Sequence, residues 1–368
     1  MSDALQAIHI SGFGSLADVR LKPGRLTVLI GPNGSGKSNM LRALRMVSLM
    51  RTGSLQRFVG EAGGASALLH YGAKRTPVLS VGLEFRQDEH QNSYEAQLGF
   101  AAGDKLLYLK ESVGYRPTPD APIRTTPIGA GHWESELRAA KANDPTARTV
   151  DSWLAQLKFF HFHDTSMTSA LRTHARIEDD QFLRSDGSNL ATYLRRLEQS
   201  EADAEQKAWR RINHFVHRIA PAVKELTPTP VNGTAVRLDW IDDQDQRFGA
   251  HQLSDGTLRG VALITALAQP TAMLPRFMSI DEPELGLHPS AIRIVAELAR
   301  SVSRHTQILF ATQSTAFLDH FEPSEVIVVT REDGASQFTR LDDTMLAAWL
   351  DDYSLSEVFD KGVIGGRP

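Results

Sequence analysis

The chain has 368 residues, 41% apolar and 23% charged, an ordinary globular balance with enough length for one large core and an elaborated second lobe. Its formal net charge of -4 excludes a nucleic-acid binder that works by bulk electrostatics, while leaving room for a local basic face. It has no cysteine, which excludes disulfides and thiolate metal sites and fits a reducing cytoplasm.

Residues 1–20 lack a basic start followed by an apolar core, so no signal peptide is expected. Residues 7–10 read as a short strand, 11–14 as a turn and 19–21 as a possible second strand. The continuous apolar run at 26–30 suits a buried central strand, and a glycine-rich stretch and a helix follow it. Residues 51–75, rich in Gly, Ala and Ser, read as a mobile surface excursion. Alternation at 78–85, 94–100 and 106–109 predicts a small antiparallel sheet, and the four prolines in 116–127 predict an irregular loop. A strand is expected near 159–162, one or two long helices over 189–219, and a strand at 236–240. The apolar helix at 258–267 includes the longest apolar helical stretch, 261–267, too short to span a bilayer, so no membrane partner is expected. Strands at 277–280, 307–311 and 326–330, with a helix at 292–302, complete an α/β pattern.

Gly31-Pro32-Asn33-Gly34-Ser35-Gly36-Lys37-Ser38 matches the full phosphate-loop pattern, with a strand before it and a helix after it. Glycines let the backbone wrap a phosphate, and the helix N-terminus favours its charge. Together with Asn39, these residues form the expected ATP site; Lys37 would reach the β- and γ-phosphates and Ser38 would ligate Mg2+. The apolar strand ending in Asp281-Glu282 supplies a second magnesium residue, Asp281, and a candidate to polarise the attacking water, Glu282. The segment Glu284 to Pro289 reads as an interface element. Ser254-Asp255-Gly256, at the head of the apolar helix, has a plainer reading in which Ser254 or Asp255 is an N-cap.

These motifs, with Ala311-Thr312-Gln313-Ser314 after them, stand in the order found in ABC-type ATPases of the SMC and RecF kind, which the chain resembles. Within that group it is similar to stand-alone predicted ATPases described as AAA-family and ABC-like. Its start, Ile8-x-Ile10-x-Gly12-Phe13-Gly14-Ser15-Leu16, resembles theirs, as do Ser185-Asp186-Gly187-Ser188-Asn189-Leu190 and the tail at 348–355 and 365–368. The resemblance implies one composite ATPase head with a parallel core sheet, an antiparallel β subdomain and a helical lobe. Residues 1–120 would form an N-terminal nucleotide-binding lobe, 121–235 an inserted loop and helical lobe, and 236–368 the C-terminal lobe.

It also implies a head-to-tail homodimer closed over two ATP molecules, with higher assembly left open. Ser254, Asp255 and Gly256 would contact the partner's nucleotide. The usual switch histidine is replaced by Gln313, which can hydrogen-bond a γ-phosphate but cannot take up a proton near neutral pH; a plain helix cap is the alternative. The glutamine of the other lobe is not readable, and His163 or Asp164 stands near its place; His161 and His163 share a strand face but lack a third ligand. Relatives imply an ATP switch controlling a separate effector, often a toprim-like nuclease, in bacterial defence or DNA maintenance. They also keep nucleic acid in play as a partner, although the arginines of 195–218 lie among acidic residues as on a solvated face. The alternative reading is a DNA-processing enzyme, a nuclease or repair factor, using a second acidic cluster at 178–180 or 242–245. A transporter ATPase subunit is a third reading.

Overall fold

The structure, a computed structural model, describes residues 3–341, 346, 349 and 352–362. Its centre is a six-stranded sheet in the order Ala335–Arg340, Val326–Glu332, Leu26–Ile30, Gln307–Thr312, Phe277–Asp281, Leu157–Phe160. All neighbours are parallel except the first two, which form an edge hairpin. Leu26–Ile30 and Gln307–Thr312 are buried along their whole length, which explains their unbroken apolar runs. Side chains still alternate between faces. Val28, Ile30, Ile280 and Phe310 enter one core with the helical lobe, and Leu29, Phe277, Leu309 and Ala311 enter another beneath the antiparallel sheet. The register sets Thr312 beside Ile30 and Asp281 beside Ala311, so three carboxyl ends meet at one rim. Open α/β sheets bind ligands outside such ends.

The antiparallel sheet is larger than the alternation suggested. Its six strands run Leu16–Leu21, Ala4–Phe13, Val78–Gln87, His90–Ala101, Lys105–Arg116, Arg124–Gly129. The first strand continues through the expected turn at Ser11-Gly12, and the chain reverses at Gly14-Ser15 instead. Arg124–Gly129 corrects the loop reading of that stretch; its Pro127 is tolerated because the strand lies at the sheet edge. The 51–75 excursion is also corrected. It contains helices Leu55–Glu61 and Ala65–Leu68, and Leu55, Phe58, Val59, Leu68 and Leu69 are buried. Gly53, Gly63, Gly64 and Gly72 take positive φ in the turns flanking these helices. Phe85 stacks on Trp153 of helix Pro145–Ala155 at 5.1 Å, fixing that helix under the sheet.

The helical lobe holds two helices, Leu190–Gln199 and Asp203–Ile219, against the apolar helix Asp255–Leu267, in which residues 260–267 are all buried. A small sheet of Glu225–Val231, Ala235–Ile241 and Arg247–Gly249 flanks them, with Ala175–Arg176 paired to its middle strand. Glu225–Val231 carries Pro228 and Pro230 and is an edge strand, so proline hid it from a pattern reading. The strand at Leu157–Phe160 ends before the two histidines, which lie in the loop beyond rather than on a strand face. Of the tail motif, residues 348, 350, 351 and 365–368 lie outside the described residues. No helix among the described residues is long and apolar enough to cross a membrane.

Candidate functional site

The phosphate loop leaves the central strand at Gly31 and enters helix Lys37–Arg51 through Gly36. Gly36 has φ +118°, and a Cβ there would come within 1.9 Å of the Ser336 hydroxyl oxygen. Both facts require glycine. Ser336 donates to the Ser35 carbonyl at 2.5 Å and accepts from the Ser15 hydroxyl at 2.6 Å, and Asn39 donates to Ser15 Oγ at 2.9 Å. The hairpin strand and the Gly14-Ser15 turn therefore clamp the loop from outside. Ser336 carries no motif and was not found from sequence, and Ser15 was read only as part of the opening that resembles the relatives. No side chain caps the helix N-terminus, so its backbone N–H groups remain available to an anion.

The buried Lys37 ammonium donates to the carbonyls of Gly31 at 2.6 Å and Pro32 at 3.0 Å. Burial lowers its pKa, against the opposing pull of Asp281, Glu282 and Glu284. An open pocket of about 200 Å³ is lined by Asn33, Gly34, Gly36, Lys37, Ser38, Asn39, Asp281, Glu282 and Gln313, with Arg331 at its edge. A wider groove of about 920 Å³ continues along Gly31, Pro32 and Ser35. The phosphate loop, the acidic pair and Gln313, dispersed over 283 positions from 31 to 313, thus meet at one rim.

Asp281 ends its strand half-buried, and burial raises its carboxyl pKa. Glu282 sits at φ +46°, a left-handed conformation unusual for a side chain of this size, and its N–H is tied to the Ala311 carbonyl at 2.8 Å. Its carboxylate accepts the Gln313 amide at 2.6 Å and faces His163 Nδ1 at 3.8 Å. Ser314, not Gln313, is the N-cap of the following short helix, so the capping alternative does not describe Gln313. Asp164 turns away: it is exposed and accepts from the Ser166 N–H and hydroxyl, which lower its pKa. Of the two lobe candidates only His163 reaches the carboxylates. Glu284, read from sequence only as part of an interface segment, accepts from Thr312 Oγ1 at 2.6 Å and the Gln313 N–H at 3.4 Å.

Ser254 caps helix Asp255–Leu267 by accepting the Thr257 N–H at 3.1 Å, so the plainer reading of this residue holds. Asp255 pairs with Arg172 at 2.6 Å, a hydrogen bond that lowers the carboxyl pKa. The same guanidinium, almost fully buried, also holds the carbonyls of Thr165, Ala250 and Leu253. Gly256 lies so close to Gly286 that a Cβ would stand 1.9 Å from its carbonyl oxygen. Arg259 donates to the carbonyls of Phe162 and His163 at 3.2 and 2.8 Å. This segment is rigidly set, yet none of Ser254, Asp255 and Gly256 lines the phosphate pocket of its own chain.

The other acidic clusters are local turns. Asp179 pairs with Arg184, Asp245 with Lys224, and Asp242 accepts the N–H groups of Gln244 and Gln246. Among the described residues no group of three or more His, Asp or Glu side chains is placed to hold a metal by itself. Ser38 and Asp281 offer one hydroxyl and one carboxylate on the phosphate pocket. That donor set fits Mg2+, which binds through one or two protein oxygens and completes its shell with phosphate and water.

Residues 26–319 match the family described as "AAA domain, putative AbiEii toxin, Type IV TA system". The chain belongs to this AAA-domain family. Within that class it is similar to ABC-like P-loop ATPases of the SMC and RecF type, to RecF in sequence and to SMC heads in fold. It is 30% identical over 167 residues to the DNA replication and repair protein RecF of Anaeromyxobacter dehalogenans (strain 2CP-1 / ATCC BAA-258), covering 39% of this chain and 45% of that protein. It is 34% identical over 79 residues to the phosphite import ATP-binding protein PxtA of Stutzerimonas stutzeri, covering 21% of this chain and 28% of that protein. The chain therefore spans less than half the length of these relatives. Its fold is similar to the Smc head domain of Pyrococcus furiosus with an extended coiled coil, solved bound to the C-terminal domain of ScpA. The TM-score is 0.60 at 14% identity, covering 95% of this chain and 99% of that one. The Smc head domain with a coiled coil and joint from Pyrococcus yayanosii gives a TM-score of 0.55 at 12% identity, covering 95% and 99%. At these identities the likeness is one of fold.

Proposed function

We propose that the chain is a magnesium-dependent ATPase head that closes as a two-fold, head-to-tail dimer over two ATP molecules. The observation that carries this is the split between two sets of residues. Lys37, Ser38, Asp281, Glu282 and Gln313 share one pocket, whereas Ser254 to Gly256 are rigidly built but stand outside it. A second copy related by a two-fold axis supplies the missing half of each site and receives the same in return. In this reading the loop backbone and Lys37 hold the phosphates, with Lys37 exchanging carbonyl partners for phosphate oxygens. Ser38 and Asp281 hold Mg2+, whose chemistry is to neutralise charge on the phosphate oxygens. Glu282, held by Gln313, accepts the proton of the attacking water, and Gln313 reports the γ-phosphate by hydrogen bonding alone.

The measurement is solution mass for wild type and Glu282→Gln, each with and without ATP and Mg2+. The expected result is a monomer without nucleotide and a dimer with it, longer-lived in the variant, because binding is kept and water activation is lost. A mass indifferent to ATP in both proteins overturns the dimer reading.

The RecF likeness supports a DNA-linked role for the switch, exercised through a separate effector. The mixed face of the helical lobe favours an indirect role. There Lys207 pairs with Asp203, Arg196 with Glu205 and Arg218 with Glu297, so each of these cations has a carboxylate beside it that opposes an approaching phosphate. Binding of duplex DNA that appears only with ATP and vanishes between low and moderate salt would favour direct contact instead.

A further inference from the structure

The role of Glu284 is not supplied by the phosphate loop, the Asp281-Glu282 pair or Gln313. It lies two residues beyond Glu282, under the end of the neighbouring strand. One of its oxygens, Oε1, takes both the Thr312 hydroxyl at 2.6 Å and the Gln313 N–H at 3.4 Å. Thr312 Oγ1 in turn accepts the Ser314 N–H at 2.9 Å. The carboxylate therefore fixes the backbone on both sides of Gln313 just where the strand ends. From that fixed backbone the Gln313 amide reaches Glu282 at 2.6 Å. The other oxygen, Oε2, is buried with no hydrogen-bond partner among the described residues. A polar side chain with a buried unpartnered oxygen is costly where only a strand end needs bracing; an apolar side chain meets that need, whereas the Thr312 hydroxyl and the Gln313 N–H call for an acceptor.

We infer that Glu284 is a positioning residue for hydrolysis: it holds the Thr312-Gln313 corner so that the Gln313 amide aims the Glu282 carboxylate at the attacking water. The inference rests on the reading of Glu282 and Gln313 as the water-activating pair. The relay runs from Glu284 to Gln313 to Glu282, and Glu284 itself does not line the phosphate pocket. Its loss leaves the phosphate loop intact, so it acts on turnover and not on nucleotide binding. The function needed from Oε1 is acceptance of two donors, and a glutamine carbonyl can perform it.

The test is steady-state ATP hydrolysis, with KM and kcat resolved, for wild type, Glu284→Gln, Glu284→Ala, Gln313→Ala and the double variant Glu284→Ala with Gln313→Ala. Expected are near-normal turnover in Glu284→Gln and a kcat lowered about 100-fold in Glu284→Ala at unchanged KM, the scale of a misplaced catalytic group. The double variant should be no slower than Gln313→Ala alone, because the two residues act in one relay. If Glu284→Ala does not fold, Thr312→Val removes the donor side of the same contact and should lower kcat without changing KM. Normal kcat in a folded Glu284→Ala, or fully additive losses in the double variant, overturns the inference while the ATPase reading stands. A wild-type chain that turns over no ATP overturns both.

Discussion

Glu282 combines a left-handed backbone, a short contact to Gln313 and a facing imidazole, a concentration of constraint that structural glutamates do not need. Its replacement by Gln should lower kcat by about 100- to 10,000-fold, the usual worth of a general base, and leave ATP affinity intact. Asp281 and Glu284 make a different prediction, about stability. Burial raises the pKa of both, so the folded head holds their protons more tightly than the unfolded chain does. Their contribution is therefore largest below the ordinary carboxylate range and is lost as pH rises through the raised values. Asp281→Asn removes a half-buried charge, and without nucleotide it should melt higher than wild type, by a margin that widens from acidic to neutral pH. With ATP and Mg2+ the order should reverse, because wild type gains ligand stabilisation that the variant lacks. Thermal melts at several pH values check both halves, and an unchanged order on adding ATP and Mg2+ removes Asp281 from the cation site.

The elements were legible in proportion to how far their patterns were local. Leu26–Ile30, Phe277–Asp281 and Gln307–Thr312 announce themselves as apolar runs ending at the phosphate loop, the acidic pair and Gln313. Arg124–Gly129 and Glu225–Val231 did not, because prolines that exclude a central strand are harmless at an edge. The helices within 51–75 were hidden by their brevity, since each gains its stability from burial under the sheet and not from its own sequence. At the candidate site the motif residues were readable, but Ser336, Arg172 and the contacts of Glu284 depend on partners from 28 to more than 300 positions away. Gly256 shows the same limit, since only the fold brings it against Gly286. Gly256→Ala places a Cβ 1.9 Å from the Gly286 carbonyl oxygen and should cost about 1–3 kcal/mol, read by denaturant unfolding. It should also disturb Glu284 and Leu285, which share that turn. A variant as stable as wild type would mean that this contact is slack.

At the scale of the whole molecule, the parallel sheet divides two cores and gathers the nucleotide-facing residues on one rim, while helix Asp255–Leu267 carries its N-terminus elsewhere. Arg259 and Arg172 bind that helix to the 162–165 segment, and His163 of the same segment faces Glu282. In the proposed dimer, this chain of contacts would join the half-site offered to a partner to the half-site kept for the chain's own nucleotide. Each active site in the proposed dimer is completed by a second copy. Complementation tests it most directly, with ATP turnover measured for Lys37→Ala alone, Ser254→Arg alone and their equimolar mixture. A mixed dimer contains one site with an intact Lys37 from one chain and an intact Ser254 from the other. The expected result is two silent variants and a mixture that hydrolyses ATP. Full turnover by Ser254→Arg on its own, or a mixture as silent as its parts, contradicts the shared site.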